Sequence, residues 1–224
     1  MRDVISTSAR WFLNVLSVVA TFPCALTCRF EHWISDQREG VFVFWAQLLA
    51  LIPGLPGAFI RRGFYRQTLA ACSRDVFIGF GTYFTHRTAC VESGVYVGSY
   101  ALIGSAVLRK DCMIGSRASL LSGGSLHPMD ENGNWLPADR SRMQMIEIGE
   151  NAWLGEGVIA MCDIGARAMV AAGAVVSTPV PERVMVGGNP ARFIRRLLPA
   201  ERAEPAANGQ KPYVSAQLGQ ELEV

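Results

Sequence analysis

From Val76 onward, aliphatic residues are followed by glycine with a regular spacing. The pairs are Ile78-Gly79, Val97-Gly98, Ile103-Gly104, Ile114-Gly115, Ile148-Gly149, Leu154-Gly155 and Ile164-Gly165, with Val170-Ala171 a near match. Four positions after the aliphatic residue stands a small or β-branched one, as at Thr82, Ala101, Val107, Ala118, Ala152, Val158, Ala168 and Ala174. Phase is held over 97–103, 148–154 and 164–170–176, with slips between these blocks. The period of six is even, so every sixth residue of a strand points to the same face. It is not a multiple of the helical period, and an α-helix would scatter these positions. Glycine beside the aliphatic residue allows a sharp corner. The pattern therefore predicts short strands that stack their aliphatic residues into one narrow core, a mainly β solenoid over residues 71–198.

Before residue 70 the period is absent and two apolar runs take its place, Trp11 to Cys28 and Val41 to Ile60, separated by the polar stretch Glu31 to Gly40. The second is solid only to Ile52, because Pro53-Gly54-Leu55-Pro56-Gly57 stops a helix. Some 12 helical residues rise about 18 Å, too little for a hydrocarbon core of about 30 Å. Residues 1–70 are thus expected to form an apolar helical segment that attaches to a membrane surface through residues 11–60. Flanking arginines, Arg10 and Arg29 around the first run and Arg61-Arg62 after the second, would keep its ends on the cytoplasmic side. A cleaved signal peptide, a transmembrane hairpin and an oligomer interface are the competing readings. The segment 199–224, rich in Ala, Glu, Gln and Pro, is expected to be a flexible tail.

The repeat breaks once, at residues 122–147. It runs out at Leu120-Leu121 and resumes at Ile146-Glu147-Ile148, and the insert is polar, Gly-rich and long. Long ordered loops of this kind tend to carry function. This one holds His127, one of three histidines in the chain. Imidazole titrates near neutrality and suits removal of a hydroxyl proton. An acceptor for its other ring nitrogen is expected. Asp130 is the nearest in sequence, with Glu147 and Glu156 as rivals.

These residues resemble the hexapeptide pattern of the left-handed parallel β-helix acyltransferases, over roughly residues 76–198. The resemblance implies a triangular prism, a homotrimer with active sites between adjacent prisms, and acetyl transfer from acetyl-CoA to a hydroxyl or amine. Ser122-Gly123 followed by His127 resembles the loop of polysaccharide-modifying O-acetyltransferases, which implies that His127 is the catalytic base. His86 is assigned with Trp135 to the acceptor, although a surface position for His86 is equally open. Asn151-Ala152-Trp153-Leu154-Gly155 is similar to the Asn-x-Trp-Ile-Gly segment of galactoside- and maltose-type acetyltransferases, and Ala171-Ala172-Gly173-Ala174-Val175-Val176-Ser177 to their Gly-Ala-Gly-Ser-Val-Val-Thr run. Trp153, Gly155, Ala172 and Ser177 are thereby implied in binding the donor. Thr178 stands where the family has Lys. Gly188-Asn189-Pro190-Ala191-Arg192-Phe193-Ile194-Arg195 matches the family's end signature, and the guanidinium groups of Arg192 and Arg195 suit CoA phosphates.

Composition adjusts this reading at three points. Mean hydropathy is +0.21, and the excess lies in the two N-terminal runs. The acceptor is accordingly expected to be a lipid-linked or polysaccharide-precursor sugar at the cytoplasmic face of the bacterial inner membrane, with a cytoplasmic location as the alternative. A net charge of +2 implies no nucleic-acid partner. The spacing of the six cysteines and three histidines implies no metal. A soluble serine or simple-sugar acetyltransferase and a non-enzymatic solenoid scaffold are the alternative functions.

Overall fold

A computed structural model describes residues 7–124 and 126–197. The C-terminal segment 199–224 lies outside the described residues. Three helices come first, α1 (Thr7–Ile34), α2 (Gly40–Ala50) and α3 (Gly54–Thr68). A parallel β-solenoid follows, its strands lying on three faces.

The first face stacks Ala71–Cys72, Cys90–Val91, Ala106–Leu108 and Ile146–Ile148. The second stacks Phe77–Ile78, Tyr96–Val97, Met113–Ile114, Trp153–Leu154, Met169–Val170 and Val184–Gly187. The third stacks Tyr83–Phe84, Leu102–Ile103, Ser119–Leu120, Ile159–Ala160 and Val175–Val176. Within each short strand one residue faces out and the next faces in. Ile78, Val97, Ile114, Leu154 and Val170 thus form one buried column in register. The small position preceding each strand is buried as well, as at Thr82, Ala101, Ala118, Ala152, Val158, Ala168 and Ala174. Val107 departs from the pattern. The chain turns the corner at Gly104-Ser105 with fewer residues, so Ala106 and Leu108 are buried and Val107 is not. Cys112 occupies a core position, and burial pushes its thiol up to about 12.

The repeating glycines answer to a different need from the one their position suggests. Left-handed backbone occurs at other corner residues, such as Tyr100, Arg117 and Gly173. At Gly79, Gly98, Gly115 and Gly155 the constraint is the neighbouring coil. A Cβ on Gly98 would lie 2.5 Å from the Ser116 nitrogen, and one on Gly115 2.5 Å from the Gly155 carbonyl carbon. Successive coils touch backbone to backbone at this corner, and no side chain fits between them.

The helices close the open end of the solenoid. Phe42 stacks on Phe64, and Tyr65 packs edge-on against Phe84 of the first coil. The Phe84 amide donates to the Tyr65 hydroxyl, and the Gly81 amide to the Ala50 carbonyl. α1 lies along α3, and where Ser17 meets Gly63 there is no room for a Cβ. Pro23 does not interrupt α1, because the missing donor falls on its exposed side. The Pro53–Gly57 segment ends α2 as expected, and it also begins α3. Pro56 stands in the first turn of α3, where no intrahelical donor is needed.

Arg61 and Arg62 are buried rather than flanking a membrane segment as charges. Arg61 donates to the carbonyls of Ala50 and Ile52 at the C-terminal end of α2, and to Ile78 in the first coil. Arg62 donates to Val76 and sits over the Phe59 ring. The positive-inside argument therefore keeps only Arg10 and Arg29.

At the far end the strand Arg192–Arg196 folds back antiparallel on Val184–Gly187. The end signature thus covers the last coil.

Candidate active site

The excursion leaves the third face after Leu120 and rejoins the first at Ile146. It is ordered by its own backbone. Met129 pairs antiparallel with Trp135, and the Leu136 amide donates to the Pro128 carbonyl at 2.8 Å. Asp130 closes this small hairpin by accepting from the amides of Asn132 and Asn134 and from the Asn134 side chain. The Gln144 amide donates to the Ser122 carbonyl at its root, and the Asp139 amide donates to the Leu126 carbonyl.

Between this loop and the solenoid wall lies a cleft of about 600 Å³. Leu102, Leu120, Leu121 and Met161 supply its apolar floor, and His86, His127, Trp135, Gly123 and Gly124 stand around it. Three residues chosen from sequence, His86, His127 and Trp135, thus line one cleft although 49 positions separate the first from the last. His127 Nδ1 lies 3.0 Å from the Leu136 carbonyl oxygen. A carbonyl only accepts, so the proton of the neutral ring sits on Nδ1, and Nε2 is left as the lone-pair nitrogen.

The carboxylates expected to orient His127 have other partners in this arrangement. Asp130 is committed to the hairpin turn, and hydrogen bonds from the Asn134 side chain and backbone hold its carboxyl below the usual range. Its rivals are also engaged elsewhere, Glu147 with Arg109 at 2.7 Å and Glu156 with Arg117 at 3.0 Å. The orienting group within the chain is a backbone carbonyl.

His86 has the carboxylate that His127 lacks. Its Nδ1 lies 2.7 Å from Glu39 Oε2, and the Arg87 amide donates to Glu39 Oε1 at 2.8 Å. Arg140, in the short 3-10 turn Arg140–Arg142 of the excursion, reaches the same carboxylate at 3.5 Å. Burial pushes the Glu39 carboxyl up, but the hydrogen bonds from His86 and Arg87 outweigh it and hold the group below the ordinary glutamate range. Glu39 carried no local signal in the sequence. It lies in the polar stretch between the two apolar runs.

The residues assigned to the acyl donor lie elsewhere. Trp153 is half-exposed on the second face, between Met113 and Met169. Gly155 and Ala172 meet at one corner, where a Cβ on Gly155 would be 2.6 Å from the Ala172 nitrogen. Ser177 is exposed after the last strand of the third face. Arg192 lines a second cleft of about 550 Å³ at the terminal coil with Thr178, Arg183, Phe193 and Arg196. Arg195 is exposed and is not part of that lining. Among the described residues no three His, Cys, Asp or Glu side chains gather as a metal site.

No family model matches the sequence, and no curated protein matches it. Solved structures do match in shape. A maltose O-acetyltransferase from Clostridium difficile superposes with a TM-score of 0.55 at 18% identity, over 70% of this chain and 86% of that one. The chain has the fold of the hexapeptide-repeat acetyltransferases. A galactoside acetyltransferase in complex with coenzyme A gives 0.55 at 18% identity, over 73% and 86% of the two chains. A hexapeptide-repeat acetyltransferase from Vibrio cholerae, complexed with acetyl coenzyme A, gives 0.51 at 18% identity over 71% and 91%.

Proposed function

We propose that this protein is an acetyl-CoA-dependent O-acetyltransferase whose acceptor is a sugar hydroxyl, and that His127 is its general base. The observation that carries the reading is the cleft shared by His127, His86 and Trp135, on a fold whose structural neighbours include a maltose O-acetyltransferase and a galactoside acetyltransferase.

In the proposed reaction His127 Nε2 takes the hydroxyl proton as the sugar oxygen bonds to the thioester carbonyl carbon. Backbone amides at Gly123-Gly124 are candidates to stabilise the oxyanion. The intermediate collapses by breaking the C–S bond, and the thiolate takes the proton back from His127. The products are the acetyl ester and the free thiol, with no acyl-enzyme. Trp135 offers a flat apolar surface to a sugar ring.

Trp153, Gly155, Ala172, Ser177, Arg192 and Arg195 remain the proposed donor residues. Trp153 is on the second face, whereas the acceptor cleft opens from the third face. A site built between neighbouring copies of a homotrimer would bring the two together. The exposed apolar tip of the excursion, with Trp135 71% and Met129 53% accessible, supports such an overhang.

The acceptor is proposed to be membrane-borne, a lipid-linked or polysaccharide-precursor sugar at the cytoplasmic face. α1 supports this. Trp11, Val15, Val19, Phe22, Leu26, Phe30 and Trp33 recur at helical spacing and are all exposed. They make an apolar stripe roughly 33 Å long on the side of α1 away from α3. By length and composition Ala9–Ile34 is also long enough to cross a bilayer, but its packing along α3 favours a helix lying in the interface.

The test is thiol release from acetyl-CoA by the detergent-solubilised protein with glycoside acceptors. His127→Ala is expected to slow turnover by about 10²- to 10⁴-fold, the usual worth of a general base. Equal turnover by both proteins would overturn the assignment.

A further inference from the structure

The two histidines of the cleft are held in the same way from opposite sides. His127 has its Nδ1 on a backbone carbonyl of the excursion, and His86 has its Nδ1 on Glu39, a residue of the helical segment. We propose that Glu39 is a positioning residue of the acceptor cleft. By accepting a hydrogen bond from Nδ1–H of His86 it leaves Nε2 as a hydrogen-bond acceptor for a second hydroxyl of the sugar. The inference rests on the acetyltransferase reading and assigns its acceptor the chemistry of a polyol, one hydroxyl for each imidazole.

Three observations support it. The Glu39 side chain is only 9% accessible, and both of its oxygens are engaged, so the pair is a built contact rather than a solvated ion pair. The guanidinium groups of Arg140 and Arg87, at 3.5 and 3.9 Å, already balance the carboxylate charge. A carboxylate only accepts, so Nδ1 of His86 carries the proton, and the lone pair of the neutral form falls on Nε2. The turn that presents Glu39 is itself clamped, since Arg87 donates to the carbonyls of Cys28 and Arg38. Neither histidine offers a fixed donor to the cleft in this arrangement. The site suits ligands that donate O–H bonds.

The experiment uses the full chain labelled with ¹⁵N at histidine. It carries three histidines, and His86→Gln assigns the second of them. Long-range proton–nitrogen spectra are expected to show His86 protonated on Nδ1 and bare on Nε2 in the wild type, and a mixture of tautomers in Glu39→Gln. A wild-type His86 protonated on Nε2, or a Glu39→Gln spectrum identical to wild type, would overturn the proposal. Kinetics with a p-nitrophenyl glycoside acceptor supply the functional arm. Glu39→Gln is expected to raise the acceptor KM about tenfold while kcat and the acetyl-CoA KM stay within about threefold. Loss of kcat alongside a lowered melting temperature, with acceptor KM unchanged, would reduce Glu39 to a structural residue and sink the idea. The base assignment fails separately, if His127→Ala keeps its turnover. Should Glu39→Gln still raise the acceptor KM in that case, the dyad stands and only the identity of the base is lost.

Discussion

At the scale of the residue, the glycines and the polar side chains obey different rules. The glycine at each repeating corner is there because the next coil leaves no room. Gly98 would place a Cβ 2.5 Å from the Ser116 nitrogen and 2.8 Å from its Cα, both backbone atoms that cannot step aside. Gly98→Ala is expected to destabilise the solenoid by roughly 2 kcal/mol or more through overpacking. Gly40→Ala, where the nearest atom is a Glu31 carboxylate oxygen at 3.6 Å, should stay within about 0.5 kcal/mol of wild type. Urea unfolding midpoints of the two variants make the comparison, and equal midpoints would refute the close-stacking explanation. Among the polar residues, histidine identity could be read from sequence, but the partner of each ring could not. Asp130 is three positions from His127 but bonds to Asn132 and Asn134, while Glu39 reaches His86 across 47 positions.

Between elements, the decisive contacts are made by buried charged groups. Glu31, near the end of α1, accepts from the amides of Val41 and Phe42 and so caps α2 in place of a local residue. Arg61 holds the opposite end of α2 and binds it to the first coil of the solenoid. Removing it takes the donor from the Ile52 and Ile78 carbonyls. Arg61→Ala is expected to cost roughly 3 kcal/mol or more, a fall in melting temperature on the order of 10 °C. An unchanged melting curve would mean that the helices and the solenoid are held together by their apolar contacts alone. The same interface accounts for part of the apolar excess of the N-terminal third. Phe42, Ala46, Phe64 and Tyr65 are spent on covering the open end of the solenoid.

For the whole molecule, the apolar surface left over after that capping is the outer stripe of α1. Replacing Val19, Phe22 and Phe30 by serine together leaves the α1–α3 contact untouched, since all three are exposed. The variant is expected to move from the membrane pellet to the soluble fraction on cell fractionation, with its melting temperature held. If wild type and variant both stay soluble and only the oligomeric state changes, the stripe is an interface between copies, and the proposed membrane-borne acceptor loses its support.

The solenoid was legible in the chain because each coil touches only its neighbours, so burial repeats at a short interval and local order records it. His127 was legible for the complementary reason, since a break in a regular period is conspicuous. The corner glycines were visible too, but their purpose was not, because the clash they avoid is with a coil that lies many residues away. The roles of Glu39, Glu31 and Arg61 were settled only by the folded chain. Each is a charged side chain buried against backbone or imidazole groups from a distant segment. No period or motif records that kind of contact, because it depends on which surfaces meet once the helices have closed over the first coil.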